Sequence, residues 1–340
     1  MSVLALCEPI INGQAHHSYP LAIALSLEHN MPWFYNNYIN LSWVADGILL
    51  DFCYQAKLIS DNVWNTYKGI SVLRTQIVNW NILSKCRLKM TDFLMNSIDS
   101  GQYVDLNVNE FYCPYSIAYK KTDYIHCILV YGYDSDAKLF NVLCYNKISK
   151  LSKETLTFKQ IQDAFNSLLS VSTNELGADI YLISHRSNYC CPIDKELICQ
   201  RVKDYLSGKN YYEQFRQFDS PPVGYLYGID IYNGLLEYIK QIKLDENNFD
   251  LRIIHLLYEH KICMTKRVEY LQDHGYMVDG CHNDKEFNNL AENILTLKNL
   301  ALKYNARKNV LLLDEIISKI ETIRQLDNNA FKALFHLMKK

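Results

Sequence analysis

The chain lacks an excess of charge of either sign and has few residues that interrupt secondary structure. Its 340 residues include 35 basic and 37 acidic side chains, which give a formal net charge of -2. This balance provides no broad electrostatic attraction for nucleic acid or for an anionic membrane, so we expect neither as a partner. Only 12 glycines and 7 prolines, against 49% hydrophobic residues, exclude the collagen-like and disordered classes. We expect a folded protein.

Long hydrophobic runs are also missing. The apolar run at 125–132 is far shorter than the roughly 18 residues that a membrane helix needs. Residues 1–12 lack the basic start and apolar core of a signal peptide, so we expect a cytoplasmic protein. In that compartment its 11 cysteines stay reduced. The question that follows is whether one of these thiols is a catalytic nucleophile.

Helical and strand patterns alternate in the first half of the chain. A helix is predicted over 19–28, with Ser18 as its N-cap and Pro20 in its first turn. Further helices are predicted over 78–98 and from 157 to about 169. Short β-branched and aromatic runs, with a turn at 134–136, predict antiparallel strands. These strands cover 103–108, 124–133, 139–145 and 178–184.

The second half of the chain is mainly helical. A helix is predicted from 193 to 206, and the segment 219–222 (Asp-Ser-Pro-Pro) breaks secondary structure. Apolar residues then recur at helical spacing in three later stretches, at 251–262, 287–304 and 310–323. We therefore predict an α+β fold with two domains, 1–192 and a mainly helical 193–340.

One histidine has the setting of a catalytic base. His126 opens an apolar strand that ends in Gly-Tyr-Asp, and a hairpin leads to a second strand that ends at Asn146. Such a strand holds an imidazole at one edge of the sheet, and an asparagine on the neighbouring strand fixes the protonated ring nitrogen. The alternative, that His126 only begins a core strand and bonds to the backbone, stays open.

The helix start near residue 18 has the setting of a catalytic nucleophile. A cysteine at such a position is activated by backbone N–H groups and the helix dipole, and a glutamine just upstream stabilises an oxyanion. The chain has Gln14 upstream but Ser18 where the thiol is expected. A shift of one residue, to His17 or Tyr19, is an open alternative.

Four segments together resemble one family. They are 9–25, 101–112, 126–134 and 299–304, and they are similar to papain-fold proteins that carry the N-terminal domain of butirosin biosynthesis protein H. These proteins are often met in biosynthetic clusters for nonribosomal peptides. The resemblance implies a papain-like domain and an acyltransferase that moves an acyl group from a carrier-protein thioester to an amine. It implies an acyl or peptidyl carrier protein and a small amine as partners, and no cofactor.

The same resemblance assigns roles to the four residues. It implies Ser18 as nucleophile, His126 as base, Asn146 as the residue that orients the base, and Gln14 as oxyanion donor. Serine has a far higher pKa than a thiol and is the poorer nucleophile here. Three explanations stay open: Ser18 is an unusual nucleophile, His126 activates the incoming amine directly, or the site binds without catalysing.

Other candidates are weaker. Cys7 is a possible replacement nucleophile, although a cysteine in an apolar run is more often a small buried side chain. The histidines and cysteines lack the paired spacing of zinc ligands, so we expect no metal. A non-catalytic scaffold that binds a carrier protein or metabolite is the alternative function, and a peptidase is the third. A late basic face is a candidate contact for an acidic carrier protein. It consists of Lys298, Lys303, Arg307 and Lys308.

Overall fold

The chain divides into two compact units. The computed structural model describes residues 1–44, 49–53, 67, 70–86, 88–171, 179–210, 224–277 and 283–338. Unit 1 comprises Met1–Asn30 and Asn62–Cys190, and unit 2 comprises Met31–Asp61 and Cys191–Lys340. The second segment of unit 2 begins at Cys191, close to the predicted boundary at 192/193. The sequence did not predict that 31–61 also belongs to unit 2.

The described helices and strands alternate in the first half, and helices dominate the second. The predicted α+β class with a helical C-terminal region is confirmed. The elements in chain order are β1 (Ser2–Val3), α1 (Ala15–Ala24), α2 (Met31–Asn37), β2 (Asn40–Val44), β3 (Leu49–Cys53), β4 (Leu73–Asn79), α3 (Trp80–Lys85), α4 (Met90–Asp99), β5 (Tyr103–Asn109), β6 (Ile125–Asp134), β7 (Leu139–Tyr145), β8 (Leu151–Thr157), α5 (Phe158–Val171), β9 (Asp179–His185), α6 (Lys195–Leu206), β10 (Leu226–Tyr227), α7 (Ile231–Asp245), α8 (Leu251–Asp273), α9 (Asn283–Arg307) and α10 (Leu311–Met338).

Unit 1 is built on an antiparallel sheet with strand order β4-β9-β5-β6-β7-β8, and β1 pairs with the far end of β6. Side chains alternate between the two faces of the sheet. One core combines α4 and α5 with the apolar residues on one face of β5, β6 and β7, namely Val104, Leu106, Val108, Ile128, Val130, Phe140, Val142 and Cys144. At residue 132 only glycine fits, because a Cβ there would lie 2.8 Å from the carbonyl oxygen of Ser2 on β1.

Helix α1 packs on the opposite face of this sheet. The Tyr19 hydroxyl donates to the Cys127 carbonyl on β6 at 3.0 Å. The helix begins at Ala15, four residues earlier than predicted, because the N–H groups of His17 and Ser18 donate to the Gln14 carbonyl at 3.1 and 2.9 Å. Gln14 is therefore the N-cap, and Ser18 lies inside the helix.

A second predicted helix is divided in the structure. The interval 78–98 contains the end of β4, then α3 and α4 as separate helices. Val78 pairs with Ile180 across β4 and β9, so tertiary pairing overrides its helical spacing. The predicted strands are confirmed, apart from shifts of a residue or two, as β5, β6, β7 and β9. The predicted break at 219–222 lies outside the described residues.

Unit 2 combines a small antiparallel sheet, β10-β2-β3, with long helices. The three predicted apolar stripes are confirmed: they fall on α8, α9 and the start of α10, which pack on one another. None of the helices in the described ranges combines the length and the apolar character needed to cross a membrane.

The core of unit 2 contains a fully buried ion pair. Lys261 Nζ donates to both carboxylate oxygens of Asp327 at 2.7 Å, and neither side chain is exposed. The hydroxyls of Tyr205 and Tyr232 donate to Asp327 Oδ2 at 2.6 and 2.9 Å. Burial lowers the pKa of Lys261, and Asp327 opposes that shift. The charges are thus compensated by an opposite charge and by hydrogen bonds, as buried ions require.

Two buried side chains of α8 hold the segment that follows α2. Arg267 donates through Nε to the Tyr35 carbonyl at 2.8 Å and through Nη2 to the Tyr38 carbonyl at 2.6 Å. His260 donates through Nε2 to the Ile39 carbonyl at 2.7 Å, since a carbonyl only accepts. Arg267 therefore supplies a cation near the C-terminus of α2, where it stabilises the helix dipole.

Replacing Lys261 with methionine should destabilise unit 2 strongly. The Lys261→Met variant leaves the Asp327 carboxylate buried without a cation, which costs about 3 to 5 kcal/mol. We expect this loss in chemical denaturation followed by far-UV circular dichroism. The double variant Lys261→Met/Asp327→Leu should recover much of it, because no charge is then left buried.

The matched control is Lys266→Met, an exposed lysine on the same helix. It should change the free energy of unfolding by less than about 0.5 kcal/mol. Equal stability of the Lys261→Met and Lys266→Met variants would contradict a structural role for the buried pair.

Candidate functional site

His126 is held by a buried acid at one end of the unit 1 sheet. Its Nδ1 lies 3.1 Å from Glu110 Oε1. The Glu110 side chain is 5% exposed, whereas that of His126 is 29% exposed. Val108 pairs with His126 across β5 and β6, so Glu110, two residues after Val108, reaches the imidazole. The acid is therefore placed by strand register.

The loop after β5 fixes the orientation of Glu110. Its Oε2 accepts a hydrogen bond of 2.5 Å from the Ser116 hydroxyl, and the Ser116 oxygen accepts the N–H of Ala118 at 3.1 Å. An ionised carboxylate only accepts hydrogen bonds, so the proton on the His126 ring lies on Nδ1. In the neutral ring, Nε2 then carries the lone pair that a general base needs.

Two tyrosines flank the imidazole. The Tyr124 ring stacks on His126 with centroids 5.7 Å apart, and the Tyr145 ring meets it edge-on at 6.1 Å. Tyr124 is 52% exposed. The base therefore has aromatic surface on both sides, which suits a ligand with an apolar or aromatic group.

The Ser18 hydroxyl lies within hydrogen-bond distance of the Tyr145 hydroxyl. The Tyr145 hydroxyl donates to the Asn12 carbonyl at 2.8 Å, so it accepts at its contact of 3.1 Å with Ser18 Oγ. Ser18 Oγ also lies 3.4 Å from the Ala15 carbonyl oxygen, so its one proton is donated either to Tyr145 or to Ala15. Among the described residues, no hydrogen bond joins Ser18 to His126. The predicted nucleophile and the predicted base are therefore near the same tyrosine but not bonded to each other.

Asn146 has a different partner from the one predicted. Its side-chain oxygen accepts the N–H groups of Ile148 and Lys150, both at 3.1 Å, and so shapes the turn between β7 and β8. Within the described ranges it forms no hydrogen bond with His126, and Glu110 holds the ring instead. Glu110 lies in a segment that carries the family resemblance, but only the strand register shows that it reaches His126.

Gln14 lies at the start of α1, as its predicted oxyanion role requires. It caps the helix through its backbone and makes no side-chain cap bond. Its Oε1 is buried without a hydrogen-bond partner in the described part of the chain. Tyr19, one of the two alternatives to Ser18, is excluded as a nucleophile because burial raises the pKa of its hydroxyl well above the usual value.

Cys7 packs against α1. Its Sγ lies 3.6 and 3.5 Å from the carbonyl oxygens of Leu21 and Ala22. Burial raises the pKa of this thiol, so the thiolate fraction at neutral pH is smaller than for an ordinary cysteine. These are the properties of a packed cysteine rather than of an activated one.

A further buried acid, Asp105 on β5, lies behind the site and was not predicted from the sequence. Burial raises its pKa to about 7, while the Tyr67 hydroxyl, which donates at 2.6 Å, and the nearby His126 oppose the shift. Since folding raises this pKa, the protonated Asp105 contributes stability at low pH, and that contribution is lost as pH rises to about 7. Asp105 shares its face of the sheet with α1, and its carboxyl group is a neutral hydrogen-bond donor below that pH.

Removing Glu110 should change the protonated nitrogen of His126. At pH 9, where an ordinary histidine is neutral, long-range proton–nitrogen NMR should show the ring with its proton on Nδ1 in the wild type. In the Glu110→Ala variant we expect the Nε2-protonated form to dominate, because Nδ1 has lost its acceptor. The Glu8→Ala variant, at an exposed position, serves as control. An Nδ1-protonated ring in the wild type and in both variants would show that Glu110 does not determine which ring nitrogen is protonated.

Cys7 should react slowly with an alkylating reagent. With iodoacetamide at pH 7.5, we expect modification of Cys7 at least about tenfold slower than that of the exposed Cys190, because burial suppresses the thiolate. Peptide mass spectrometry at several times measures both rates in one sample, so Cys190 is the internal control. Faster alkylation of Cys7 than of Cys190 would identify it as activated.

No family model matches this chain, and no curated protein resembles it significantly. A functional assignment therefore depends on the geometry around His126, Glu110 and Tyr145.

Proposed function

We propose that the chain is a papain-like acyltransferase that forms an amide by moving an acyl group from a carrier-protein thioester to an amine. The observation that carries this proposal is the buried Glu110, which leaves His126 Nε2 as a proton acceptor in a partly exposed, aromatic setting. The antiparallel sheet with α1 on one face supports the papain-like assignment. The carrier protein follows from the sequence resemblance alone.

His126 acts on the amine in this mechanism. As the amine nitrogen attacks the thioester carbonyl carbon, the C–N bond forms and Nε2 removes a proton from that nitrogen. The tetrahedral intermediate then collapses, the C–S bond breaks, and the departing thiolate takes the proton from Nε2. The products are an amide and a free carrier thiol. No bond to the enzyme is needed, and His126 ends in its starting state.

The hydrogen bonds of Ser18 favour this direct route over a serine nucleophile. Its hydroxyl proton has two acceptors within reach, the Tyr145 hydroxyl and the Ala15 carbonyl, and no hydrogen bond joins Ser18 to His126 among the described residues. Gln14 is the proposed donor to the oxyanion of the tetrahedral intermediate, because its side chain lies at the start of α1 and makes no cap bond there. Glu110 is a positioning residue that keeps the His126 lone pair on Nε2.

A non-catalytic scaffold is the second candidate. The same contact favours it: Ser18 stands where the family has a thiol and is engaged with Tyr145. In that case the aromatic surface around His126 would bind an acyl or amine group without turnover. A peptidase, the third sequence-based alternative, has no contact in its favour.

The test uses N-acetylcysteamine thioesters of aliphatic and aromatic acids with a panel of small amines, and amide is quantified by mass spectrometry. We expect His126→Ala to lower kcat/KM by at least about 100-fold, the usual contribution of a general base. Ser18→Ala should stay within about threefold of wild type, and iodoacetamide should leave turnover intact. The exposed histidine variant His274→Ala is the matched control.

Three results would contradict the mechanism. Loss of turnover on alkylation, with protection by the thioester, would restore a cysteine nucleophile. An acyl adduct on Ser18 in the intact mass would restore the serine. Thioester binding that is weakened by His126→Ala, without amide from any donor and amine, would establish the scaffold instead.

A further inference from the structure

A polar cleft lies at the end of unit 1 opposite to His126. It has a volume of about 330 Å³ and is lined by Arg74, Ser184 and the residues at 185–189. Arg74 and Ser184 are paired across β4 and β9, so their side chains share a face of the sheet. Ile183, next to the cleft, pairs with Tyr103 on β5, whereas His126 pairs with Val108. These two β5 residues are five positions apart, which is roughly 17 Å along the strand. The cleft is therefore distinct from the site around His126.

One of its arginines is held in position by the fold. The backbone N–H of Arg186 donates to the Val72 carbonyl at 3.0 Å, and its Nη1 donates to the Ser71 carbonyl at 3.2 Å. Its guanidinium lies over the Tyr189 ring, 5.0 Å from the centroid. A guanidinium has five N–H donors. Most of them stay available while the side chain is fixed, which lowers the entropy cost of binding a ligand.

The charge of the cleft is positive and uncompensated. No acidic side chain lines it, and neither Arg74 nor Arg186 forms an ion pair with a carboxylate in the described part of the chain. Burial lowers the pKa of His185, so its ring is neutral at pH 7 and the two arginines supply the charge. The remaining lining groups are hydroxyls and a carboxamide, which are hydrogen-bond donors of the kind that surround bound oxyanions.

We propose that this cleft binds the phosphate group of a small ligand, with Arg74 and Arg186 as its two cationic contacts. Two guanidinium groups match the charge and the oxygen geometry of a phosphate, which accepts paired N–H donors. Serine hydroxyls at 184 and 187 complete the donor set for the remaining oxygens. A carboxylate has only two oxygens and one charge, so it uses fewer of these donors.

Isothermal titration of the full chain with inorganic phosphate and with phenyl phosphate tests the proposal. At constant ionic strength, we expect binding of at least one probe with a Kd on the order of 1 mM or lower. Arg74→Gln and Arg186→Gln should each weaken it at least about tenfold, because each removes charge-assisted hydrogen bonds. Tighter binding of phenyl phosphate identifies a phosphate ester as the ligand class, and equal or tighter binding of inorganic phosphate identifies the free ion.

The control variant is Arg307→Gln, an exposed arginine in unit 2, which should bind like the wild type. Thermal melts without ligand verify that each variant is folded. Arg74 is exposed and its side chain forms no hydrogen bond with another described residue, so its variant is the safer of the two. The proposal is overturned if neither phosphate binds, if folded Arg74→Gln binds as tightly as wild type, or if acetate binds as tightly as both phosphates.

Discussion

The hydrogen-bonded register between β5 and β6 is the constraint on which the candidate site depends. It places Val108 opposite His126, so the chain that continues beyond β5 brings Glu110 to the imidazole. Because side chains alternate across a sheet, a slip of one residue would turn His126 to the other face and separate it from its acid. The core formed with α4 and α5 excludes that slip, since it would expose the apolar residues of β5 and β6.

Both units bury ionisable groups, and each compensates them differently. In unit 1, the Glu110 carboxylate accepts from the Ser116 hydroxyl and contacts an imidazole that stays partly exposed. In unit 2, Lys261 and Asp327 compensate each other with no exposure at all. The first arrangement leaves a nitrogen lone pair for chemistry. The second leaves no accessible atom, and its hydrogen bonds join α8 and α10 to Tyr205 of α6 and Tyr232 of α7.

Local pattern predicted β5, β6, β7, β9 and the apolar helices of unit 2, because their periodicity follows directly from burial, but it did not predict β2, β3, β4 or β8. It predicted His126 at the start of a strand, but it assigned the partner role to Asn146. That asparagine forms a turn within its own segment, as short amide side chains often do. Glu110 could not be found this way, because no spacing along the chain relates it to His126. The pairing of Val78 in β4 was missed for the same reason.

The assignment of 31–61 to unit 2 has a consequence for synthesis. Arg267 donates to the Tyr35 carbonyl across a sequence separation of 232 residues. At the usual rate of translation, that separation corresponds to on the order of ten seconds or more. During this interval β2 and β3 have left the ribosome, while α8 does not yet exist to cover them. The nascent chain thus carries β2 and β3, which pair with each other, before β10 and α8 are present to cover them, and a sheet edge left open in this way favours aggregation.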